Sequence, residues 1–271
     1  MSDQLGFVIL NYGQRDYTLQ CLSALGKQTC KDFTVLVLDN SLAGKEMKEE
    51  DVKGIDPSFM FKRLAENRGF SAGNNPGIQY FLDHGFKFIW LLNNDTIPSV
   101  DAVEKTMIFM SQHPDIGIAG MKLVNSDERK TLQVYGGGML NTQKVYTLPN
   151  KDPNKECDWI CGGSMLVRRE VFEKIGLFDE DFFLFFEDVD FSVRAKESGF
   201  KLSVIPQVEI IHFGGRSQPS EMALKHCRKS AFIYAKKHSA HPWISYLWIV
   251  ETRILAPLVR SFFCKKQDPE K

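Results

Sequence analysis

Short apolar runs that stop abruptly at polar side chains dominate the first half of the chain. Residues 7–10 stop at Asn11-Tyr12, residues 33–38 at Asp39-Asn40, and residues 86–92 at Asn93-Asn94-Asp95. Each run is apolar on successive residues and too short for a helix, so it reads as a strand buried on both faces. Residues 61–64 read as a further short strand and 116–123 as another. Helical spacing fills the intervals, with Tyr17, Leu19, Cys21, Leu22 and Leu25 in residues 16–25, and further stretches at 72–84 and 100–113. Residues 41–56 carry charges of both signs and read as an exposed loop or helix. The alternation predicts an α/β fold: a Rossmann-like, mostly parallel sheet flanked by helices. Ligands of such sheets bind beyond the carboxyl ends of the strands, which is where the three polar clusters fall.

The second half changes character. Residues 131–147 contain Gly136-Gly137-Gly138 and read as a hairpin or irregular strands, 159–168 as strand-like, 169–175 and 189–198 as helices, and 202–205 as a strand. From about residue 220 to 265 the pattern is helical. Lysines plus arginines number 34, as do the acidic residues, so the formal net charge is zero and a nucleic-acid partner is disfavoured. The six cysteines, Cys21, Cys30, Cys157, Cys161, Cys227 and Cys264, lack the paired spacing of a zinc site and read as free thiols. The chain shows neither a signal peptide at its start nor an uncharged apolar stretch of the roughly 20 residues that a membrane span needs. A cytoplasmic protein is expected.

Four constellations have chemical potential. Asn93-Asn94-Asp95 follows a buried strand and suits a magnesium or manganese ion, which takes few protein carboxylates and completes its shell with phosphate oxygens; an Asx turn explains the same residues without a metal. Glu187, Asp188 and Asp190 follow the aromatic stretch 182–186. Repulsion and desolvation there favour a raised pKa and a general base, while the acids also suit a helix N-terminus. His212, before Gly214-Gly215-Arg216, is a metal ligand or a satisfied polar group, and the Gly pair with Arg216 could face phosphate. The segment 66–75 is a polar, Gly-bearing loop entering a helix, suited to an anion, and it does not match the G-x-G-x-x-G dinucleotide fingerprint.

Together these motifs resemble, over residues 5–217, the family 2 glycosyltransferases, whose fold is GT-A. Residues 7–12 are similar to the family's first strand, with Leu10, Asn11 and Tyr12 at its base-contacting end. Val37-Leu38-Asp39-Asn40-Ser41 resembles the V-D-N-x-S segment, whose Asp contacts the nucleobase, and Asn67, Arg68 and Asn74 resemble the loop near base and ribose. Asn93-Asn94-Asp95 stands where the family has its Asp-x-Asp metal motif, with Asn93 replacing the first acid, Asn94 on the nucleotide side and His212 where many members place a metal-ligating His. Cys161-Gly162-Gly163-Ser164 resembles the acceptor-side strand, which brings in Gly163 and Trp159. Phe178-Asp179-Glu180 with Glu187-Asp188-Val189-Asp190 and Arg194 resembles the G-x-F-D-E…E-D-x-D-L-x-x-R block.

The resemblance implies an inverting displacement. Asp188 is the base, Glu187 and Asp190 support it or the acceptor, and Asn93, Asp95 and His212 hold Mn2+ or Mg2+. It further implies a catalytic domain over 1–219, with a nucleotide-sugar half to about 125 and an acceptor half from 126, and a helical appendage over 220–271. The N-R-G-F and L-N-N-D-T wording resembles the rhamnosyltransferase-like branch, which uses dTDP-rhamnose; a UDP-sugar fits Asp39 equally well. A glycan or lipid-linked acceptor in surface polysaccharide or glycolipid synthesis is expected. The aromatic and basic residues of 226–266 leave two roles open for the appendage, peripheral contact with a membrane or packing on the catalytic domain or a second subunit as a homodimer. Two other classes compete: a domain that binds nucleotide sugar without turnover, and a nucleotidyltransferase, for which Asn11-Tyr12-Gly13-Gln14-Arg15 is a poor phosphate loop.

Overall fold

The structure, a computed structural model, describes residues 5–214 and 221–255. The first half contains β1 (Leu5–Asn11), α1 (Arg15–Gly26), β2 (Phe33–Asp39), α2 (Glu49–Lys53), β3 (Met60–Arg63), α3 (Gly69–Asp83), β4 (Phe88–Leu92), β5 (Thr96–Pro98), α4 (Ala102–Gln112) and β6 (Ile116–Asn125). The second half adds β7 (Leu132–Tyr135), β8 (Gly137–Asn141), β9 (Tyr146–Pro149), β10 (Trp159–Ile160), β11 (Ser164–Arg168), α5 (Arg169–Ile175), α6 (Glu187–Glu197), β12 (Lys201–His212), α7 (Glu221–His238) and α8 (Pro242–Val250). A π-helical turn, Glu251–Leu255, follows α8. The helical stretch expected beyond it, and Gly215-Arg216, lie outside the described residues.

The main sheet has nine strands in the order β3-β2-β1-β4-β11-β6-β12-β5, with β7 beside β6. β1 to β4 pair in parallel, as do β6 and β12, whereas β11 runs antiparallel between β4 and β6. The alternation of a strand explains why the runs are apolar throughout. In β4, Phe88, Trp90 and Leu92 join the core on one face, and Ile89 and Leu91 join the core on the other. In α1 the buried residues Thr18, Cys21, Leu22 and Leu25 follow helical spacing. α3 lies close on β1 and β2 because Gly73 and Gly77 face Leu10, Val8 and Leu38, where an added Cβ would come within 2.7–2.8 Å of the neighbours.

The stretch read as one strand over 159–168 is two. Cys161-Gly162-Gly163 breaks it, leaving β10 in a small antiparallel sheet with β8 and β9 and β11 in the main sheet. The strand read over 202–205 extends to His212, and this extension carries it to β5. A third core joins the C-terminal helices to the rest: Ala231, Tyr234, Ala235 and Ile249 pack with Val145, Trp159, Phe182, Phe186 and Val189. No described helix is long and apolar enough to cross a membrane. On α8, Trp243 and Leu247 are each 64% exposed and lie four residues apart, on one outward face.

Gly69 opens α3 at φ +95°, a conformation that favours glycine, and a Cβ there would sit 2.2 Å from the Phe183 carbonyl oxygen. Gly69→Ala is therefore expected to lower stability by about 1–3 kcal/mol. An unchanged urea midpoint in that variant would contradict the close approach.

Candidate active site

The carboxyl ends of β1, β2 and β4 converge on a buried polar network. Asn11 donates through Nδ2 to Asp39 Oδ1 (2.8 Å) and Ser41 Oγ (3.0 Å). Its Oδ1 accepts from Thr18 Oγ1 (2.9 Å), Asn94 Nδ2 (3.3 Å) and the Gln14 amide (3.2 Å). Asp39 is fully buried. Besides Asn11, it accepts from the Ser41 hydroxyl at 2.5 Å, the Met47 amide at 3.1 Å and the Arg63 guanidinium at 2.8 Å. Its carboxylate is saturated from within the protein, and the neighbouring Asn40, not Asp39, reaches the cleft above the network.

That cleft encloses about 610 Å³. Its walls include Leu10, Tyr12, Asn67, Asn93, Asn94 and Asp95, all expected from the sequence. Gly69 and Phe70, from the loop the sequence placed near base and ribose, also line it, together with Phe183, Leu184, Met222 and His226, which the sequence did not single out as site residues. Phe183 and Leu184 belong to the aromatic stretch already noted, and their role as cleft wall was the missing part of that signal. His226 stacks on Phe183 with ring centroids 4.4 Å apart, so α7 reaches the cleft from the far end of the sequence; no local pattern marks that contact.

Asp95 meets His212 because β12 pairs with β5, His212 opposite Thr96. His212 Nε2 lies 3.3 Å from Asp95 Oδ1, and Phe213 donates its amide to the Asp95 carbonyl at 2.9 Å. A Cβ on Gly214 would come within 2.8 Å of His212 Nε2 and 3.0 Å of Asp95 Oδ2, so glycine keeps this corner open. Among the described residues no third His, Cys, Asp or Glu joins the pair. One carboxylate and one imidazole fit a magnesium or manganese ion that takes its remaining ligands from a diphosphate and water.

The acidic cluster opens α6. Phe185 and Phe186 both adopt left-handed backbone, φ +67°, uncommon for bulky residues. Phe186 is buried against Tyr234, and Ser230 Oγ donates to the Leu184 carbonyl at 2.8 Å, so α7 holds the turn that aims Glu187 and Asp188. Asp188 Oδ2 accepts from the Gly162 amide at 2.9 Å and Oδ1 from the Val189 amide at 2.8 Å. Burial pushes the Asp188 carboxyl up, and these amides oppose the rise. Glu187 is pushed up well beyond the ordinary range by burial and then by the charge of Asp188, and its Oε2 has no hydrogen-bond partner. The two amides favour the charged form of Asp188, whereas burial without a partner for Oε2 favours the neutral form of Glu187.

The Asp95–His212 corner and the acidic corner are separated by one glycine turn. An added Cβ on Gly162 would touch Asp188 and Phe70, and one on Gly163 would lie 3.7 Å from Asn93 Nδ2. Cys161, between them, has its thiol pushed up to about 12 by burial and by Asp188, Glu187 and Asp95. Asp188 is not itself part of the cleft wall, but it lies beside Gly162 together with Phe70, which is. The remaining expected residues lie elsewhere. Asp190 is buried and holds Arg194 (2.8 Å) and His238 (2.7 Å), tying α6 to α7. Arg68 pairs with Glu180 at 2.7 Å, Asn74 donates to the Phe70 carbonyl at 2.9 Å, and Trp159 packs in the third core.

The chain matches the family described as Glycosyltransferase like family 2 over residues 3–232. It is 37% identical to the N-acetylglucosaminyl-diphospho-decaprenol L-rhamnosyltransferase of Mycobacterium tuberculosis H37Rv, covering 88% of this chain and 86% of that one. It is 33% identical to the Rhamnosyltransferase WbbL of Escherichia coli K12, covering 84% of this chain and 90% of that one. The crystal structure of GalNAc-T7 with UDP, GalNAc and Mn2+ superposes with a TM-score of 0.64 at 16% identity, a likeness of fold that spans 92% of this chain but 55% of that one.

A carboxyl whose pKa rises on folding is held protonated in the native state, so its stabilising contribution is complete below the unfolded value, 4.5 for Glu187, and is lost as pH climbs toward the folded value. Glu187→Gln lacks that loss. Urea midpoints measured from pH 4 to pH 8 should move in favour of the variant as pH rises; parallel curves would show that Glu187 is not held protonated.

Proposed function

The chain belongs to the family 2 glycosyltransferases, and from that premise we propose that it transfers a sugar, with inversion, from dTDP-rhamnose or a UDP-sugar to a hydroxyl of a glycan or lipid-linked acceptor. Glycosyl transfer in glycan biosynthesis is the activity of the family and of the named relatives. The donor and the stereochemical course belong to the proposal. The observation that carries it is the pairing of two corners across Gly162-Gly163: Asp95 with His212 on one side, Asp188 with Glu187 on the other. A displacement at an anomeric carbon needs charge neutralised on the leaving side and a proton removed on the attacking side.

In this reading the nucleotide lies in the cleft on Leu10, Tyr12, Asn40 and Asn67, with its diphosphate toward Asp95. Asp95 and His212 would hold a manganese or magnesium ion, which would supply Lewis-acid neutralisation of the departing diphosphate. Asp188 takes the acceptor's proton at Oδ1 or Oδ2 as the hydroxyl attacks. Glu187, neutral beside it, adds no competing negative charge. Phe70, Phe183 and His226 exclude water from the space where acceptor and donor meet. The rhamnosyltransferase names of the two relatives support a rhamnosyl donor, and the UDP and Mn2+ of GalNAc-T7 support the nucleoside diphosphate and the cation.

Two measurements test the reading. In a thermal-shift panel, TDP or UDP with Mn2+ at about a hundred times the dissociation constant should add roughly 2.7 kcal/mol, and Asp95→Ala should lose the manganese dependence. No shift with any nucleoside diphosphate would overturn the donor site. Asp188→Asn should keep the nucleotide shift and lose about two to four orders of magnitude in turnover; near-normal turnover would remove Asp188 from the role of base.

A further inference from the structure

Gln133 is the extra residue of a β-bulge. In the pairing of β6 with β7, Leu123 faces Val134 and Val124 faces Leu132, so Gln133 has no partner in the ladder. A bulge turns its side chain away from the regular alternation, a device common beside active sites. Here the side chain is aimed at the end of β12. Its Nε2 donates to Asn125 Oδ1 at 2.7 Å, to the His212 carbonyl at 2.9 Å and to the Gly214 carbonyl at 3.0 Å. The two backbone carbonyls fix the orientation of the amide, because the flipped amide would press oxygen against oxygen at both.

The oxygen of Gln133 is then the atom 2.8 Å from His212 Nδ1. An amide oxygen only accepts, so Nδ1 carries the ring proton. In the neutral ring the lone pair is consequently on Nε2, which lies 3.3 Å from Asp95 Oδ1. A lone pair facing a carboxylate at that distance is repulsive unless a cation or a proton lies between them. The pairing of β12 with β5, His212 opposite Thr96, and the Phe213 amide on the Asp95 carbonyl hold the two residues side by side.

We propose that Gln133 is a positioning residue that locks His212 in its Nδ1–H tautomer and so presents the Nε2 lone pair, alongside Asp95, to a divalent cation. The proposal rests on the cation reading of the Asp95–His212 pair, but the tautomer is a property of the protein alone. A role limited to bracing the two carbonyls would use Nε2 of Gln133 and leave the ring tautomer free.

The test is two-bond 1H–15N correlation of the full chain labelled with 15N-histidine, recorded without metal at alkaline pH, with the His212 signals identified by their loss in His212→Asn. The expected wild-type result is a protonated, pyrrole-type Nδ1 and a pyridine-type Nε2. A protonated Nε2 in the wild type overturns the proposal whatever any variant does. Gln133→Met, which lacks the acceptor, should shift the ring toward the Nε2–H tautomer. An unchanged tautomer in Gln133→Met also overturns it. Manganese titrations followed by electron paramagnetic resonance, in the presence of TDP or UDP, should show about 10–100-fold weaker binding in Gln133→Met. Absence of manganese binding in the wild type, with the tautomer as expected, would overturn the cation reading and leave the lock in place.

Discussion

A buried carboxylate, Asp39, organises the end of the sheet. A charge withdrawn from water persists only when it is paired and its lone pairs are filled, and here Asn11, Ser41, the Met47 amide and Arg63 do both. The cost of leaving any of them out ties β1, β2, β3 and the loop after β2 into one register. Asn11 carries the same constraint to α1 through Thr18 and to β4 through Asn94. The floor of the cleft is thus a network with little freedom, and the groups left facing the cleft, Tyr12, Asn40 and Asn67, stand on a rigid base.

The opposite wall is held by strain and by packing from a distance. Two successive left-handed phenylalanines cost of the order of 1–3 kcal/mol each, and they persist because Phe186 is buried against Tyr234 while Arg253 lies over its ring at 5.2 Å. The reward is direction: Glu187 and Asp188 leave the turn at the first residues of α6, where Gly162 and Val189 supply amides to one carboxylate only. α7 thus serves two ends. Its middle clamps the strained turn, and its first two turns bring Met222 and His226 to the cleft.

Much of this was legible in the chain. Buried runs ending in Asn11, Asp39 and Asn93 gave away the sheet and the edge where ligands gather, because a polar side chain directly after a buried strand must find a partner there. The pairing of Asp95 with His212 was legible only through the family resemblance, since the register of β5 with β12 is a long-range fact that spacing does not contain. Asp39 was expected to face the nucleobase, yet its lone pairs are filled by protein donors, one of them Arg63, which no motif marked. Asp190 reads in sequence like its neighbours Glu187 and Asp188, but helical geometry turns it toward Arg194 and His238. Gln133 left no trace, because a bulge is a mismatch between two strands and neither strand records it alone.

The asparagine at position 93 fits the rest of this electrostatic arrangement. Its backbone does structural work that any residue could do, donating to the Gly163 carbonyl at 3.1 Å and accepting from the Thr96 hydroxyl at 2.6 Å. Its side chain is where the choice matters. An aspartate there would bring another charge to a corner that already has Asp95, with Glu187 and Asp188 just across Gly162-Gly163. More negative charge across that turn would raise the cost of ionising Asp188, the carboxylate proposed as base. With Asn93 the protein offers a cation one carboxylate and one imidazole, so in the proposed reading most of the negative charge that holds it comes from the diphosphate. Cation and nucleotide then bind as a unit, and the corner is left weakly charged once both depart.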